Sequence, residues 1–129
     1  MIIGIPKEIK TKEFRVGLAP AGVRELVLHG HEVLVESGAG AGIGMSDDDY
    51  LNAGATVLAE AEEIWARGRL IIKVKEPQPV ECERLTPEHL LFTYLHLAAD
   101  PAQAKALLKS GASCIAYETV TAPGGGLPL

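Results

Sequence analysis

The chain has 129 residues, about the size of one domain, with 47% hydrophobic and 22% charged residues, a balance that excludes disorder and a coiled coil. Twelve basic against seventeen acidic residues leave a net charge of −5, which disfavours a nucleic-acid partner, because such a partner is normally met by a basic face. No stretch approaches a membrane-spanning run, Met1 leads straight into a strand-like segment, and the two cysteines, Cys82 and Cys114, stand far apart. The expectation is a soluble protein of the reducing cytoplasm, with no membrane span and no signal peptide.

In chain order, Met1–Ile5 reads as a buried strand that Pro6 ends, since proline cannot donate to a ladder. Val23, Leu26 and Val27 fall at helical spacing from Pro20 to His29, and Gly30 suits the C-terminal stop. His31–Glu36 alternates as a second strand, and Ser46 with Asp49 three residues on predicts a capped short helix. Thr56–Arg67 reads as one helix, Leu70–Lys75 as a third strand, and Thr86–Pro87 as a turn. Leu90–Leu95 forms a fourth strand, Asp100–Pro101 opens a helix to about Lys109 that Gly111 stops, and Ser113–Tyr117 forms a fifth strand. Strands alternating with helices predict an α/β fold with a mostly parallel sheet and helices on both faces. Residues 1–120 form this domain, and the Gly/Pro-rich stretch 121–129 reads as the start of a linker toward a further domain.

The glycine-rich run Gly38–Gly44 (GAGAGIG) follows a strand and precedes a helix. A dinucleotide fingerprint needs glycines at relative positions one, three and six. Counted from Gly38 the sixth residue is Ile43, and counted from Gly40 it is Met45. Asp47–Asp49 open the next helix, where a pyrophosphate would be repelled. The run is therefore expected to be a structural turn, with no cofactor-binding residue in this chain. The three aspartates read as charges favoured by the helix dipole, and no metal site is expected. Trp65 reads as core, and Cys82, between two glutamates, as a surface thiol. His29, His31 and His89 read as structural or solvated residues.

Three residues point to chemistry. Lys75 ends the third strand, His96 follows the fourth, and Arg15 lies in the polar connection after the first. Open parallel sheets bind ligands outside the carboxyl ends of their strands, so these side chains are expected on one rim. Arginine offers a planar fork for a carboxylate, lysine a point charge for a carboxylate or carbonyl oxygen, and histidine a proton donor and acceptor near neutrality. The set suits a small carboxylic acid whose neighbouring carbon gains or loses a proton. Each residue alone is more often a solvated charge or a satisfied loop residue; Glu118, after the fifth strand, ranks below the three.

The opening GIPKEIKTKEFRVGLAPAGVRELVLHGHEV, with KVKEP (Lys73–Pro77), LFTYLHLA (Leu91–Ala98) and AYETV (Ala116–Val120), resembles the N-terminal domain of the alanine dehydrogenase/nicotinamide nucleotide transhydrogenase family. His96 favours the dehydrogenase branch. Lys12, Gly17 and Ala19 depart from the family pattern in the first loop. The resemblance implies a Rossmann-like or flavodoxin-like substrate domain that stops before the NAD-binding domain. It implies NAD-dependent oxidative deamination of L-alanine to pyruvate and ammonia. His96 would be the acid/base residue, and Arg15 and Lys75 would hold the substrate carboxylate and carbonyl oxygen. A second catalytic acid and the NAD loop would lie in the missing domain, so the 129 residues are expected to be inactive alone. The full-length protein is expected to be a homo-oligomer, a hexamer. The alternatives are a transhydrogenase alpha subunit and a non-catalytic 2-oxo-acid-binding remnant.

Overall fold

A computed structural model describes residues 1–129. Its elements are β1 (Ile2–Ile5), α1 (Pro20–Leu28), β2 (Glu32–Glu36), α2 (Asp47–Asn52), β3 (Thr56–Leu58), α3 (Ala61–Arg67), β4 (Leu70–Ile72), α4 (Pro79–Cys82), β5 (Leu90–Thr93), α5 (Pro101–Ser110) and β6 (Ser113–Ala116). The six strands form one parallel sheet in the order β3-β2-β1-β4-β5-β6. No helix is long and apolar enough to cross a membrane.

Side chains alternate across the sheet and build two cores. Ile3, Ile5, Val33, Val35 and Ile72 pack with Val23 of α1 and Tyr50 of α2. On the opposite face Ile71 and Leu91 pack with Trp65 of α3, Leu107 of α5 and Cys82 of α4. The α/β fold with helices on both faces is thus realised, with six strands where the sequence predicts five.

The extra strand comes from Thr56–Arg67, which is not one helix. Thr56–Leu58 pairs in parallel with Leu34–Glu36 of β2, and α3 begins only at Ala61. The free edge of β2 offers a row of backbone partners, and the β-branched pair Thr56–Val57 suits an extended edge, so tertiary pairing overrides the local helical period. The ladder of β4 ends at Ile72 and that of β5 at Thr93, short of the predicted Lys75 and Leu95. A one-turn helix, α4, stands in the proline-bearing stretch, capped by reciprocal Gln78 and Glu81 bonds. The caps read from sequence hold: Ser46 and Asp49 form a capping box, and Asp100 accepts from the Ala102 and Gln103 N–H groups at 3.0 Å each.

Cys82 is a correction. It is buried in the second core, its thiol donating to the Pro77 carbonyl, and burial followed by the Glu81 charge pushes its pKa up. Its flanking glutamates mislead because α4 turns Cys82 inward. His89 is a satisfied core residue: its ring meets the Thr86 N–H and hydroxyl on one side and the Trp65 carbonyl, at 2.8 Å, on the other.

Candidate functional site at the carboxyl rim

The sheet register sets this rim. Ile72 lies opposite Phe92, and Thr93 opposite Ala116, so the residues that follow β4, β5 and β6 leave side by side at the carboxyl ends. Lys75, His96 and Glu118 belong to these three adjacent exits. The connection after β1 leaves at the same end and passes over β4. A side chain at Gly17 would collide with the backbone of Ile72 and Lys73, so glycine permits the approach that brings the Arg15 segment over the rim. Lys10 of this connection pairs with Glu76, the residue after Lys75.

His96 has its backbone in the left-handed region, φ 50° and ψ 38°, unusual for a residue with a side chain. Glu118 holds it there: Oε1 accepts the His96 N–H at 2.7 Å and the Leu95 N–H at 3.1 Å. Burial pulls the Glu118 carboxyl upward, but these N–H groups and the His96 charge outweigh it and hold the pKa low. On the other side of Leu95, its carbonyl accepts from Gln103 of α5 at 3.0 Å. The exposed imidazole stacks on Tyr94 with ring planes 5° apart and centroids 5.7 Å apart. Tyr94 meets Tyr117 edge-on, and Tyr117 donates its hydroxyl to the Lys73 carbonyl at 2.9 Å. Burial pushes the Tyr117 pKa up to about 12, so its hydroxyl remains a donor.

Lys75 is half-buried, and its carbonyl accepts the Thr93 hydroxyl at 2.9 Å. Arg15 is exposed and gripped by Glu13, which accepts from Nε at 2.8 Å and from Nη2 at 2.7 Å. The bond from Arg15 leads the causes that hold the Glu13 carboxyl down at about 2, and the Lys75 charge is near enough to contribute. Lys75 and His96 thus follow adjacent strands at the carboxyl ends, and Arg15 lies on the loop that crosses the backbone of Ile72 and Lys73.

Beneath the rim lies a buried ion triad. The Lys73 ammonium, fully buried, bonds Glu8 at 3.0 Å and Glu81 at 2.8 Å. The other Glu8 oxygen accepts the Val74 N–H at 2.7 Å, which ties the first connection to the residue before Lys75. Sequence reasoning passes over Lys73, although a lysine inside the apolar run Ile71–Val74 is itself a signal. It also passes over Tyr94 and Glu13.

The glycine-rich turn is filled by the protein itself. A side chain at Gly42 would strike the Phe14 carbonyl, and one at Gly40 would strike Tyr50 and Met45. Asp47 accepts the Ser37 hydroxyl at 2.6 Å and the Gly38 N–H at 2.8 Å, where a phosphate would have to sit. These residues do not fit a dinucleotide.

The fold is a parallel α/β sheet whose carboxyl-end exits carry Lys75, His96 and Glu118, with the loop of Arg15 crossing over β4. The chain belongs to the family described as "Alanine dehydrogenase/PNT, N-terminal domain", whose model matches residues 4–129. It is 57% identical over 129 residues to an alanine dehydrogenase of Halomonas elongata and 52% identical to one of Mycobacterium tuberculosis (strain CDC 1551 / Oshkosh). Each match covers 100% of this chain, which spans 35% of the length of either relative. Among solved structures, an L-alanine dehydrogenase superposes with a TM-score of 0.95 at 51% identity, covering 99% of this chain and 35% of that one. A transhydrogenase from Sinorhizobium meliloti superposes at 0.84 with 27% identity, covering 92% of this chain and 35% of that one.

Proposed function

We propose that the chain is the substrate-binding part of an alanine dehydrogenase, which interconverts L-alanine with pyruvate and ammonia using NAD. Residues 1–120 form the substrate domain, and 121–129 begin the connector. The observation that carries this reading is that Lys75 and His96 follow adjacent strands and the loop of Arg15 crosses over the first of them, in a chain whose relatives at 50% identity or more are named alanine dehydrogenases. The 27% identity to a transhydrogenase is a weaker support for the alternative.

Arg15 receives the substrate carboxylate through its planar fork, and Lys75 holds the oxygen on the second carbon as a point charge. His96 gives and takes the proton as water adds at that carbon and ammonia leaves. Glu118 and Tyr94 are positioning residues, one holding the strained backbone and the other the plane of the imidazole. Bound NAD would supply the hydride acceptor; the glycine-rich turn here, with Gly40 packed on Tyr50 and Gly42 on Phe14, is not where it would be held. On this reading the chain alone does not turn over substrate.

The test uses the protein as its gene encodes it. His96→Ala is expected to lower kcat by about 10²- to 10⁴-fold, the usual contribution of a positioned acid/base, with pyruvate still bound. Arg15→Ala and Lys75→Ala are expected to weaken pyruvate binding. Full turnover in His96→Ala would refute the assignment.

A further inference from the structure

The Glu13–Arg15 pair has a geometry that the assignment of Arg15 as a carboxylate receptor does not by itself require. A guanidinium has five N–H donors in one plane and can meet a carboxylate along two edges, Nε with Nη2 or Nη1 with Nη2. Glu13 takes only the first. Its Oε1 accepts from Nε at 2.8 Å and its Oε2 from Nη2 at 2.7 Å, and Oε1 also accepts the backbone N–H of Arg15 at 2.8 Å. One carboxylate therefore fixes both the main chain and the side chain of Arg15. The Glu13 side chain is only 7% exposed while that of Arg15 is 57% exposed, so the partner is sunk in the loop and the arginine side chain stands largely in solvent. Nη1 makes no hydrogen bond within the protein.

We propose that Glu13 is the positioning residue of the substrate-carboxylate receptor: it occupies the Nε/Nη2 edge of Arg15 and presents the Nη1/Nη2 edge to the carboxylate of a small 2-oxo or 2-amino acid. This rests on the reading of Arg15 given above. The opposite role, in which Glu13 stands in for the substrate and must be displaced by it, is disfavoured by the same geometry. Displacement would break three bonds, one of them to the backbone, while the second edge already stands open.

The experiment compares wild type, E13A, E13Q, R15A and E13A/R15A in the protein as its gene encodes it. Pyruvate is titrated by calorimetry, KM and kcat are measured with L-alanine, and a thermal melt checks folding. If Glu13 preorganises Arg15, E13A raises the pyruvate Kd and the alanine KM about 3- to 12-fold, the ordering cost of one long side chain, with kcat within about 2-fold. E13Q, which keeps one acceptor, falls between, and carries the test if E13A fails to fold. In the R15A background E13A adds nothing, because its effect passes through Arg15. A lower KM in E13A overturns the proposal in favour of displacement. An equal rise with and without Arg15 overturns it in favour of a role elsewhere in the loop. If R15A weakens pyruvate binding and E13A does not, the Glu13 inference alone fails. If R15A leaves pyruvate binding unchanged, the receptor reading fails and takes this one with it.

Discussion

Replacing Lys73 by methionine probes the buried triad under the rim. The ammonium is fully buried between Glu8 and Glu81, whose side chains are each 2% exposed. Methionine fills similar space but strands two carboxylates, left with the Val74 and Gln78 N–H groups as partners. Removing one partner of a buried ion pair costs about 3–5 kcal/mol, because the remaining charge is neither hydrated nor neutralised. That is a large share of the roughly 5–15 kcal/mol that holds a domain together. Trp65, the single tryptophan and 2% exposed, reports unfolding by fluorescence without a label. With a urea slope of about 1.5–2 kcal/mol per molar, typical for a domain this size, the midpoint should fall by roughly 2 M. Adding Glu81→Gln, which removes one stranded charge and keeps an acceptor for the Gln78 N–H, should recover part of the loss. A midpoint shift under about 0.5 M in Lys73→Met would refute the claim that the triad is dry and mutually dependent.

Two further outcomes follow from the rim and its supporting loops. The Glu13 carboxyl should titrate by NMR with a midpoint about 2 instead of the ordinary 4.5; since the folded value is the lower one, the pair's stabilisation is complete above about 4.5 and is lost as the pH falls toward 2. Arg15→Ala should raise that midpoint, and a wild-type midpoint near 4.5 would show that the pair does not form in solution. Gly42→Ala places a methyl group against the Phe14 carbonyl, an overpacking expected to cost about 1–3 kcal/mol and to lower Tm by several degrees. An unchanged Tm would mean that the turn has room to spare, contrary to its reading as a filled structural corner.

Local chemistry in the sequence sufficed for the alternation of strands and helices, for the capped ends of α2 and α5, and for which polar residues follow strands. Those properties are local: Ser46 with Asp49, Asp100 with Pro101, and Gly111 at φ 72° are each settled by residues within a few positions. The spacing rule was likewise enough to separate Gly38–Gly44 from a dinucleotide loop. The tertiary structure alone decided that Thr56–Leu58 is a strand, because the deciding partner, β2, lies some twenty residues earlier and supplies hydrogen bonds that no local period encodes. It also decided that Cys82 is buried and that Lys73 is neutralised by Glu8 and Glu81, since burial and charge pairing depend on which segments fold back on one another. Arg15, Lys75 and His96 were legible as types placed after strands. The grip of Glu13, the stack of Tyr94 and the Glu118 clamp were not, because each is a contact set by the register of β4, β5 and β6 or by the path of one loop over them.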